Sequence, residues 1–332
     1  MSQLFPVQNS TLSANALAEL VHQEYPLQSF PACKFWRKGM SDTYRIEAGN
    51  QLFFLKVSMA SRRSRKDIDE EVRLLLHLAR GGVGIAVPIE SSNGRYVLAL
   101  PAPEGERYAV LFEGAKGTEG TTDLHRRELG RMVARMHQCA DSLDPPYDRD
   151  CLELEHLLDD NLTCIESLMA HRPEDYEIIV RIAKHAKEVV TTVLPRRNPE
   201  HGVCHGDLHG GDVLYSPDGV PVLFDFDSSG CGWRALDIAV FGGSSDWMDT
   251  NQETEVRRQR EVAQFLDGYT SVRALSSGEL EVLKLDSVVH HIFLMGIVLR
   301  YWSNRDGWHW ADDSFIDWHM KWFRHWIEHH SI

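Results

Sequence analysis

The chain is predicted to be an α+β protein with a smaller, strand-rich N-terminal part and a larger, mostly helical C-terminal part. Apolar residues between positions 35 and 57 form extended runs separated by short turns, whereas most apolar residues after position 122 recur at helical spacing. The stretch EGAKGTEGTT at residues 113–122 is rich in Gly and Thr, which is typical of a linker. We therefore divide the chain of 332 residues into residues 1–113, a connector at 114–122, and residues 123–332.

The N-terminal part is predicted to combine strands with one long helix. A short helix over residues 10–24 comes first, and turns at Gly39–Asp42 and Gly49-Asn50 then separate extended runs. The stretch RKDIDEEVRLLLHLAR at residues 65–80 has apolar side chains at helical spacing and ends at Gly81-Gly82. Further strands are predicted at residues 86–89, 96–100 and 108–112.

The C-terminal part is predicted to be helical with one main exception. Helices are expected at residues 124–141, 152–170, 175–194, 253–269, 277–302 and 314–329. The exception is a hairpin, in which the apolar runs Val213–Tyr215 and Val220–Phe224 flank a Pro-Asp-Gly turn.

Composition restricts the classes of protein that the chain can represent. The formal net charge is −14, and such an acidic chain is a poor candidate for binding a nucleic-acid backbone. The six cysteines form no C-x-x-C pair, which favours a reducing compartment. The N-terminus lacks the pattern of a signal peptide, and no long apolar segment predicts a membrane span. We therefore expect a soluble cytoplasmic protein without nucleic-acid or membrane partners.

Four carboxylates lie at the ends of the predicted hairpin. They are Asp207, Asp212, Asp225 and Asp227, within the stretch HGDLHGGDVLYSPDGVPVLFDFDSSG. Carboxylates brought together repel one another, so a cation is expected between them. Carboxylate oxygens suit Mg²⁺, which usually keeps one or two protein carboxylates and the phosphates of a substrate. The pattern therefore predicts a magnesium site that serves a nucleotide.

Phosphoryl transfer needs a loop over the phosphates, a cation, metal ligands and a proton acceptor. The loop candidate is Gly39–Thr43, for which an ordinary hairpin turn is the alternative. The cation candidate is Lys56 in the apolar run FFLKVS, for which an exposed position on an edge strand is the alternative. Its carboxylate partner is Glu71 or its neighbour Glu70, and we prefer Glu71 because it precedes Leu74 and Leu75 on the inward half of the helix.

The stretch after residue 204 supplies the remaining parts. Asp207 would accept the proton of a substrate hydroxyl, and Asp212 and Asp225 would hold the metal. A zinc site formed by the H-x-x-C-H-x-x-x-H pattern of residues 201–209 is a weaker alternative, because this stretch runs from a loop into a hairpin rather than along a helix.

Several segments together resemble a known family. They are GMSDTYR at 39–45, FLKV at 54–57, EVRLL at 71–75, AVLFEG at 109–114, LGRMVARMH at 129–137, HGDLHGGDVL at 205–214 and LFDFD…DIA at 223–239. In order and spacing they are similar to the aminoglycoside phosphotransferase and choline kinase group, a phosphotransferase branch of the protein-kinase-like fold. The similarity extends from about residue 35 to about residue 241.

The resemblance implies a bilobal kinase fold with ATP between the lobes. It implies that Gly39 and Ser41 cover the phosphates, that Lys56 contacts them and pairs with Glu71, and that the segment from Leu111 to Glu113 receives the adenine. It also implies that Asp207 is the catalytic base, that Asp225 and Asp212 are the Mg²⁺ ligands, and that Asp237 orients the catalytic loop. It leaves the role of Asp227 open.

One departure from the family pattern concerns Asp212, because the family normally has Asn there. An Asn amide offers a neutral oxygen and an N–H donor, whereas Asp offers no donor and adds a charge near Asp207. Repulsion is expected to raise the pKa of one of the carboxyls or to demand more bound cation. A nucleotide-binding pseudokinase is therefore an alternative to an active kinase.

The acceptor is predicted to be a hydroxyl-bearing small molecule, and the acidic composition favours a cationic, aminoglycoside-like compound. A protein Ser/Thr kinase of the same fold is the second enzymatic alternative. Trp318, Trp322 and Trp326 share one helical face, which either docks the last helix on the core or forms an aromatic wall for the substrate. The loop at residues 303–314 mixes tryptophans with Asp306, Asp312 and Asp313, a combination that suits an amine-bearing ligand.

Overall fold

The N-terminal part is built around a five-stranded antiparallel sheet with the strand order β1-β2-β3-β5-β4. The structure is a computed structural model that describes residues 5–60, 62–149, 151–243, 249–283, 285–302 and 307–330. The strands are β1 (Ala32–Lys38), β2 (Ser41–Ala48), β3 (Gln51–Ser58), β4 (Val97–Ala102) and β5 (Gly105–Glu113). Strand β3 is central, and Lys56 on it pairs with Thr43 on one side and Val110 on the other.

Two helices cover the opposite faces of this sheet. Helix α1 (Ala14–Glu24) lies on the face that carries Leu55 and Leu111. Helix α2 (Arg65–Arg80) lies on the other face, where its residues Ile68 and Val72 pack against β4 and β5. The α2 helix begins at a capping box between Ser64 and Asp67, as its sequence suggests. Because side chains alternate along a strand, Lys56 points to the α2 side and Leu55 to the α1 side.

The C-terminal part is mostly helical. Its helices are α3 (Asp123–Ala140), α4 (Asp160–Leu168), α5 (Pro173–Val193), α6 (Arg234–Gly243), α7 (Gln252–Thr270), α8 (Ser277–Val282), α9 (Asp286–Ile297) and α10 (Asp313–His330). Single π-helical turns at Glu155–Asp159 and Val298–Trp302 adjoin α4 and α9. A core of buried aliphatic and aromatic side chains joins α4, α5, α9 and α10.

Short strands interrupt the helices and carry the loops of the site. The predicted hairpin is confirmed as β8 (Val213–Tyr215) and β9 (Pro221–Leu223), paired antiparallel. A second small sheet, with the order β6-β10-β7, consists of β6 (Cys151–Leu152), β7 (His201–Cys204) and β10 (Gly230–Trp233). Strands β7 and β10 and helix α6 are not among the predicted elements, and each is short, with 4, 4 and 10 residues.

Two of the predicted elements differ in the structure. The strand expected at residues 86–89 is reduced to isolated bridges on either side, and Pro88 within it has no N–H for a continuous ladder. The helix expected at residues 277–302 is divided into α8, α9 and a π-helical turn. The apolar spacing continues from α8 into α9, because Val282, Leu285 and Val288 all enter the same core. Periodicity alone therefore does not reveal the break between these two helices.

None of the helices in the described part of the chain combines the length and the apolar character needed to cross a bilayer.

Candidate active site

Asp237 of α6 holds the loop that carries Asp207 through hydrogen bonds to the backbone of that loop. The two carboxylate oxygens of Asp237 accept hydrogen bonds from the backbone N–H groups of His205, at 2.7 Å, and Gly206, at 2.8 Å. The ring of His137 contacts the same carboxylate at 3.0 Å. Gly206 has a φ of 84°, and a Cβ there would lie 2.2 Å from the carbonyl oxygen of Ser228, so the loop requires glycine.

Asp207 presents a partly exposed carboxylate at the end of this loop. Its Oδ1 lies 3.5 Å from Nε2 of His290 on α9, and its side chain is 35% exposed. Burial tends to raise the pKa of Asp207, but the interactions with His290, His209 and His205 outweigh it and lower the pKa. The carboxylate is therefore ionised at neutral pH and available as a proton acceptor.

Asp212 is a deeply buried carboxylate at one end of the hairpin. Within the described ranges, it has no Lys or Arg side chain in contact. Its Oδ2 lies 3.2 Å from Nε2 of His209, whose Nδ1 accepts a hydrogen bond from the backbone N–H of Gly211. Its Oδ1 has no hydrogen-bond partner among the described residues. Burial, together with the charges of Asp225 and Asp207, raises the pKa of Asp212 to about 9.

Asp225 and Lys56 form the centre of the site. Lys56 Nζ donates to Asp225 Oδ1 at 2.9 Å and lies 3.4 Å from Glu71 Oε1. The partner of Lys56 on α2 is thus Glu71, whereas Glu70 pairs with Arg73. Lys56 lies buried on a central strand, so the alternative of an exposed edge position is wrong.

The backbone of Asp225 is unusual. With a φ of 65° it is in the left-handed region, and it is the single non-glycine residue with positive φ in the described ranges. A strained conformation of this kind persists only where the surrounding structure enforces it, and such positions cluster at functional sites.

Asp227 lies two residues further on, in surroundings rich in positive charge. Ser41 Oγ donates to its Oδ2 at 2.9 Å, and Arg62 Nη1 lies 3.1 Å from the same oxygen. Arg149 and Lys56 each approach the carboxylate to 3.7 Å. Burial tends to raise the pKa of Asp227, but these cations outweigh it and hold the pKa well below its usual range. Asp227 is therefore ionised at neutral pH, and the surrounding cations offset its charge.

Two cavities meet at the Lys56–Asp225 pair. The smaller, about 520 Å³, lies between the sheet and the hairpin, and its apolar walls come from Phe54, Leu75, Ala86, Phe112 and Leu214. The larger, about 690 Å³, lies on the other side of the pair and opens toward α9 and α10. Both cavities are lined by Arg37, Thr43, Lys56 and Asp225. A group bound in one can therefore reach a group bound in the other.

The predicted site residues divide between these cavities. Glu71 and Glu113 line the smaller one, Gly39, Ser41 and Asp207 line the larger one, and Lys56 lines both. Asp225 lines both. The loop from Gly39 is a tight turn, with Gly39 N–H donating to Ser41 O at 3.1 Å, and the hydroxyl of Ser41 is committed to Asp227.

Leu111 is not brought to either cavity. Its side chain is fully buried in the core on the α1 side of the sheet, and its carbonyl accepts a hydrogen bond from Ile89 N–H at 2.8 Å. Strand alternation places Phe112 instead on the wall of the smaller cavity. Within the segment from Leu111 to Glu113, the side chains of Phe112 and Glu113 line the smaller cavity, and that of Leu111 does not.

Several residues of the site are missing from the sequence prediction. Arg37, at the end of β1, pairs with Thr43 through the sheet and lines both cavities. His290 lies beside Asp207, and Arg62, Arg63 and Arg149 surround Asp227. The only local signal for Arg37 is its position next to the predicted loop, and the signal for His290 is a pair of histidines within the apolar stretch of α9.

The donor set suits a divalent cation. Ligand atoms of Asp207, His209 and Asp212 lie within 4.8 Å of one another. The unpartnered, buried Oδ1 of Asp212 and the neighbouring charge of Asp225 would both be compensated by a bound cation. Carboxylate oxygens are the ligands that Mg²⁺ and Ca²⁺ prefer, so these residues fit a hard divalent ion.

Comparison with solved structures defines the fold. The amicoumacin kinase hAmiN, solved with AMP-PNP, Ca²⁺ and Ami, superimposes with a TM-score of 0.76 and covers 94% of both chains at 21% identity. This likeness identifies a bilobal protein-kinase-like fold with a strand-rich N-terminal lobe and a helical C-terminal lobe, as predicted.

Sequence comparison defines the family. The sequence profile of the phosphotransferase enzyme family matches residues 33–275. An uncharacterized protein of Synechocystis sp. is 36% identical over 82% of this chain and 74% of its own length. The amicoumacin kinase of Bacillus subtilis is 26% identical over 77% of this chain and 76% of its own length. The chain belongs to the phosphotransferase enzyme family, which confirms the resemblance, and it is an enzyme of the kinase class.

Proposed function

We propose that the protein transfers the γ-phosphate of ATP to a hydroxyl group of a small molecule and that it requires Mg²⁺. The observation that carries this proposal is the meeting of two cavities at the Lys56–Asp225 pair, with Asp207 on the wall of the larger one. ATP would occupy the smaller cavity, and the acceptor would occupy the larger one.

The N-terminal lobe, residues 1–113, would hold the nucleotide against the C-terminal lobe, residues 123–332, with residues 114–122 as the connector. The apolar walls at Phe54, Leu75 and Phe112 suit the planar adenine, and Glu113 lies beside them where the connector begins. Lys56, oriented by Glu71, would contact the phosphates at the junction of the cavities. Arg37, which also lines both cavities, would add a second cation there.

Asp207 would act as the general base. The acceptor oxygen attacks the γ-phosphorus, the bond to the oxygen that bridges the β- and γ-phosphates breaks, and ADP departs with that oxygen. The proton of the acceptor hydroxyl passes to Asp207, whose lowered pKa keeps it ionised beforehand. Asp237 would contribute by holding the loop in place through the backbone of His205 and Gly206.

Asp225 and Asp212 would hold the metal. A bound Mg²⁺ neutralises charge on the phosphates as they rearrange. Lys56 already holds Asp225 at the junction of the cavities, and the strained backbone of Asp225 keeps its carboxylate there. The Oδ1 atom of Asp212 accepts no hydrogen bond from the described residues, so this oxygen would be available for the cation.

A cationic, aminoglycoside-like acceptor stays a prediction from composition. The curated relative from Bacillus subtilis is an amicoumacin kinase, which supports a small molecule rather than a protein as the acceptor. Asp225 and Asp227, which line the larger cavity, already have cationic partners.

The test is the release of ADP from Mg-ATP by the purified protein, with a panel of hydroxyl-bearing acceptors. We expect some acceptors to stimulate release and Asp207→Asn to lower kcat by roughly a hundredfold or more, since general-base catalysis contributes about that much. Asp218→Asn, at the exposed turn of the same hairpin, is the matched control and should leave the rate unchanged.

Tight nucleotide binding without turnover, and no gain in Asp212→Asn, would contradict the proposal and favour a pseudokinase. Turnover that appears only in Asp212→Asn would show that the acid at this position disables transfer in the natural chain.

A further inference from the structure

The walls of the larger cavity differ in character from its floor. The floor carries Asp207, Asp225 and Asp227, which serve the reaction or the ion-pair network. The wall formed by α9, the π-helical turn after it, α10 and the segment before α10 is mainly apolar and aromatic, and it consists of Leu294, Met295, Ile297, Val298, His309, Trp310, Phe315, Trp318 and His319. With a volume of about 690 Å³, the cavity holds more than the reacting hydroxyl of an acceptor.

The aromatic residues of this wall pack on one another. Phe315 meets Trp310 edge to face at a centroid distance of 5.4 Å, and it meets His319 in the same way at 4.4 Å. Trp318 lies against the other side of His319 at 5.4 Å. The rings therefore support each other as a continuous surface.

His319 contributes no charge to this wall. Its Nδ1 lies 2.6 Å from Nε2 of the buried His291, so one of the two rings must be a neutral acceptor. Burial lowers the pKa of His319 to about 3. The carboxylates on the floor of the cavity do not offset this lowering of the His319 pKa, for which burial is the cause.

Among the described residues that line the cavity, two carboxylates already have cationic partners, and the third, Asp207, is the proposed proton acceptor for the hydroxyl. Asp227 is surrounded by cations, Asp225 is paired with Lys56, and Asp207 lies beside His290. The acids of the predicted amine-binding loop face elsewhere. Asp312 caps α10 through the backbone N–H groups of Ser314 and Phe315, and Asp313 pairs with His171. Asp306 of that loop lies outside the described residues.

Trp318 indicates that this wall serves a ligand. The three tryptophans that share a face of α10 have different environments, with Trp322 and Trp326 buried in the core and Trp318 at the cavity, 48% exposed. A half-exposed indole on a concave apolar wall is typical of a surface that a bound molecule covers.

We propose that the acceptor carries an uncharged aromatic or similarly apolar ring system, which lies against Trp318, Phe315 and Trp310 while its hydroxyl reaches Asp207. This inference rests on the proposed function, since it names the acceptor class of the same site. Aromatic walls also bind cations through their ring faces, and a quaternary ammonium acceptor is therefore the competing outcome of the test.

The test compares matched probe alcohols by ADP release from Mg-ATP. Choline and neohexyl alcohol have the same shape, but the second has carbon in place of the charged nitrogen, and phenylbutanol adds an aromatic ring. We expect kcat/KM to rank phenylbutanol above neohexyl alcohol and neohexyl alcohol above choline. Trp318→Ala should lower kcat/KM for phenylbutanol by about tenfold, the loss expected for one aromatic contact and its buried area.

Trp308→Ala is the matched control, because Trp308 is exposed on the same segment and does not line the cavity. It should leave the ranking and the rates unchanged. A preference for choline, or equal effects of the two substitutions, would overturn the inference. Failure of all three alcohols to stimulate release would also overturn it, provided that the protein binds a fluorescent ATP analogue. Loss of ATP binding itself would instead contradict the proposed function.

Discussion

Asp212 and Asp227 flank the same residue, Asp225, yet their environments are opposite. Asp227 has four cationic side chains around it, which lower its pKa, and a hydroxyl that donates to it. Asp212 is equally buried but has only a histidine ring in contact, and its pKa is raised to about 9. The protein thus supplies the countercharge for one carboxylate and leaves the other for a cation from outside. The difference separates a structural acid from the proposed metal-binding acid of the same hairpin.

The largest effect is expected from Asp227→Asn. The substitution leaves Arg62, Arg63, Arg149 and Lys56 close together without their shared anion. Removing one partner of a buried ionic cluster costs about 3–5 kcal/mol, and we expect the free energy of unfolding in urea to fall by about that amount. Asp218→Asn should unfold like the natural chain. An unchanged midpoint for Asp227→Asn would show that the cluster does not depend on this carboxylate.

The next effect concerns metal binding at Asp212. Because its pKa is about 9, the carboxyl is mostly protonated at neutral pH and must lose a proton when a cation binds. We therefore expect the apparent affinity for Mg²⁺ in the presence of AMP-PNP to rise by up to about tenfold per pH unit between about pH 7 and pH 8.5. Titration calorimetry in two buffers of different ionisation enthalpy measures the released proton. Asp212→Asn should show neither the steep pH dependence nor the proton release, and an identical profile in both proteins would refute the assignment.

Arg37 links Asp212 to the nucleotide cavity. Among the cations near Asp212, it does the most to lower the pKa of this carboxyl, against burial and the neighbouring carboxylates. If it contacts the phosphates, Arg37→Ala should lower kcat/KM for ATP by about tenfold, as expected for the loss of a charge-assisted hydrogen bond. Lys34→Ala, an exposed cation on the same strand, is the control and should have little effect. A similar loss in both variants would point to a general effect of charge rather than to a contact.

The remaining effect is the pH dependence of stability without metal. Between about pH 4, where an unfolded Asp titrates, and about pH 9, the folded protein keeps a proton on Asp212 that the unfolded chain has released. The stability contributed by this proton therefore decreases as the pH rises through this window. We expect Asp212→Asn to gain stability relative to the natural chain from about pH 6 to pH 9 in urea unfolding with EDTA. A constant difference between the two proteins would mean that Asp212 is ionised throughout.

The local parts of the fold and site follow from the sequence. The apolar spacing of α2 and the Gly81-Gly82 pair after it predict its bounds, and the Pro-Asp-Gly turn predicts the hairpin. The choice of Glu71 over Glu70 follows from the inward face of the same helix. These features depend on residues a few positions apart, where hydrogen bonding and periodicity act directly.

The larger cavity has features that spacing along the chain does not predict. Trp318, Trp322 and Trp326 are equivalent by helical spacing, but only the packing of α10 on the core separates the exposed indole from the buried ones. Similarly, Asp312 and Asp313 suggested a cation site, whereas the structure uses them for a helix cap and an ion pair. Spacing along the chain does not specify which neighbours a side chain meets.

The sequence by itself determined the family, the two-part architecture and the carboxylates that the proposed chemistry uses. Only the tertiary structure decided which of these carboxylates is already neutralised. The arginines that surround Asp227 come from positions 164 and 78 residues earlier in the chain. Because electrostatic environment depends on distance in space and on burial, and neither is encoded in local spacing, the different charge states of Asp212 and Asp227 emerge only when the two lobes are folded together.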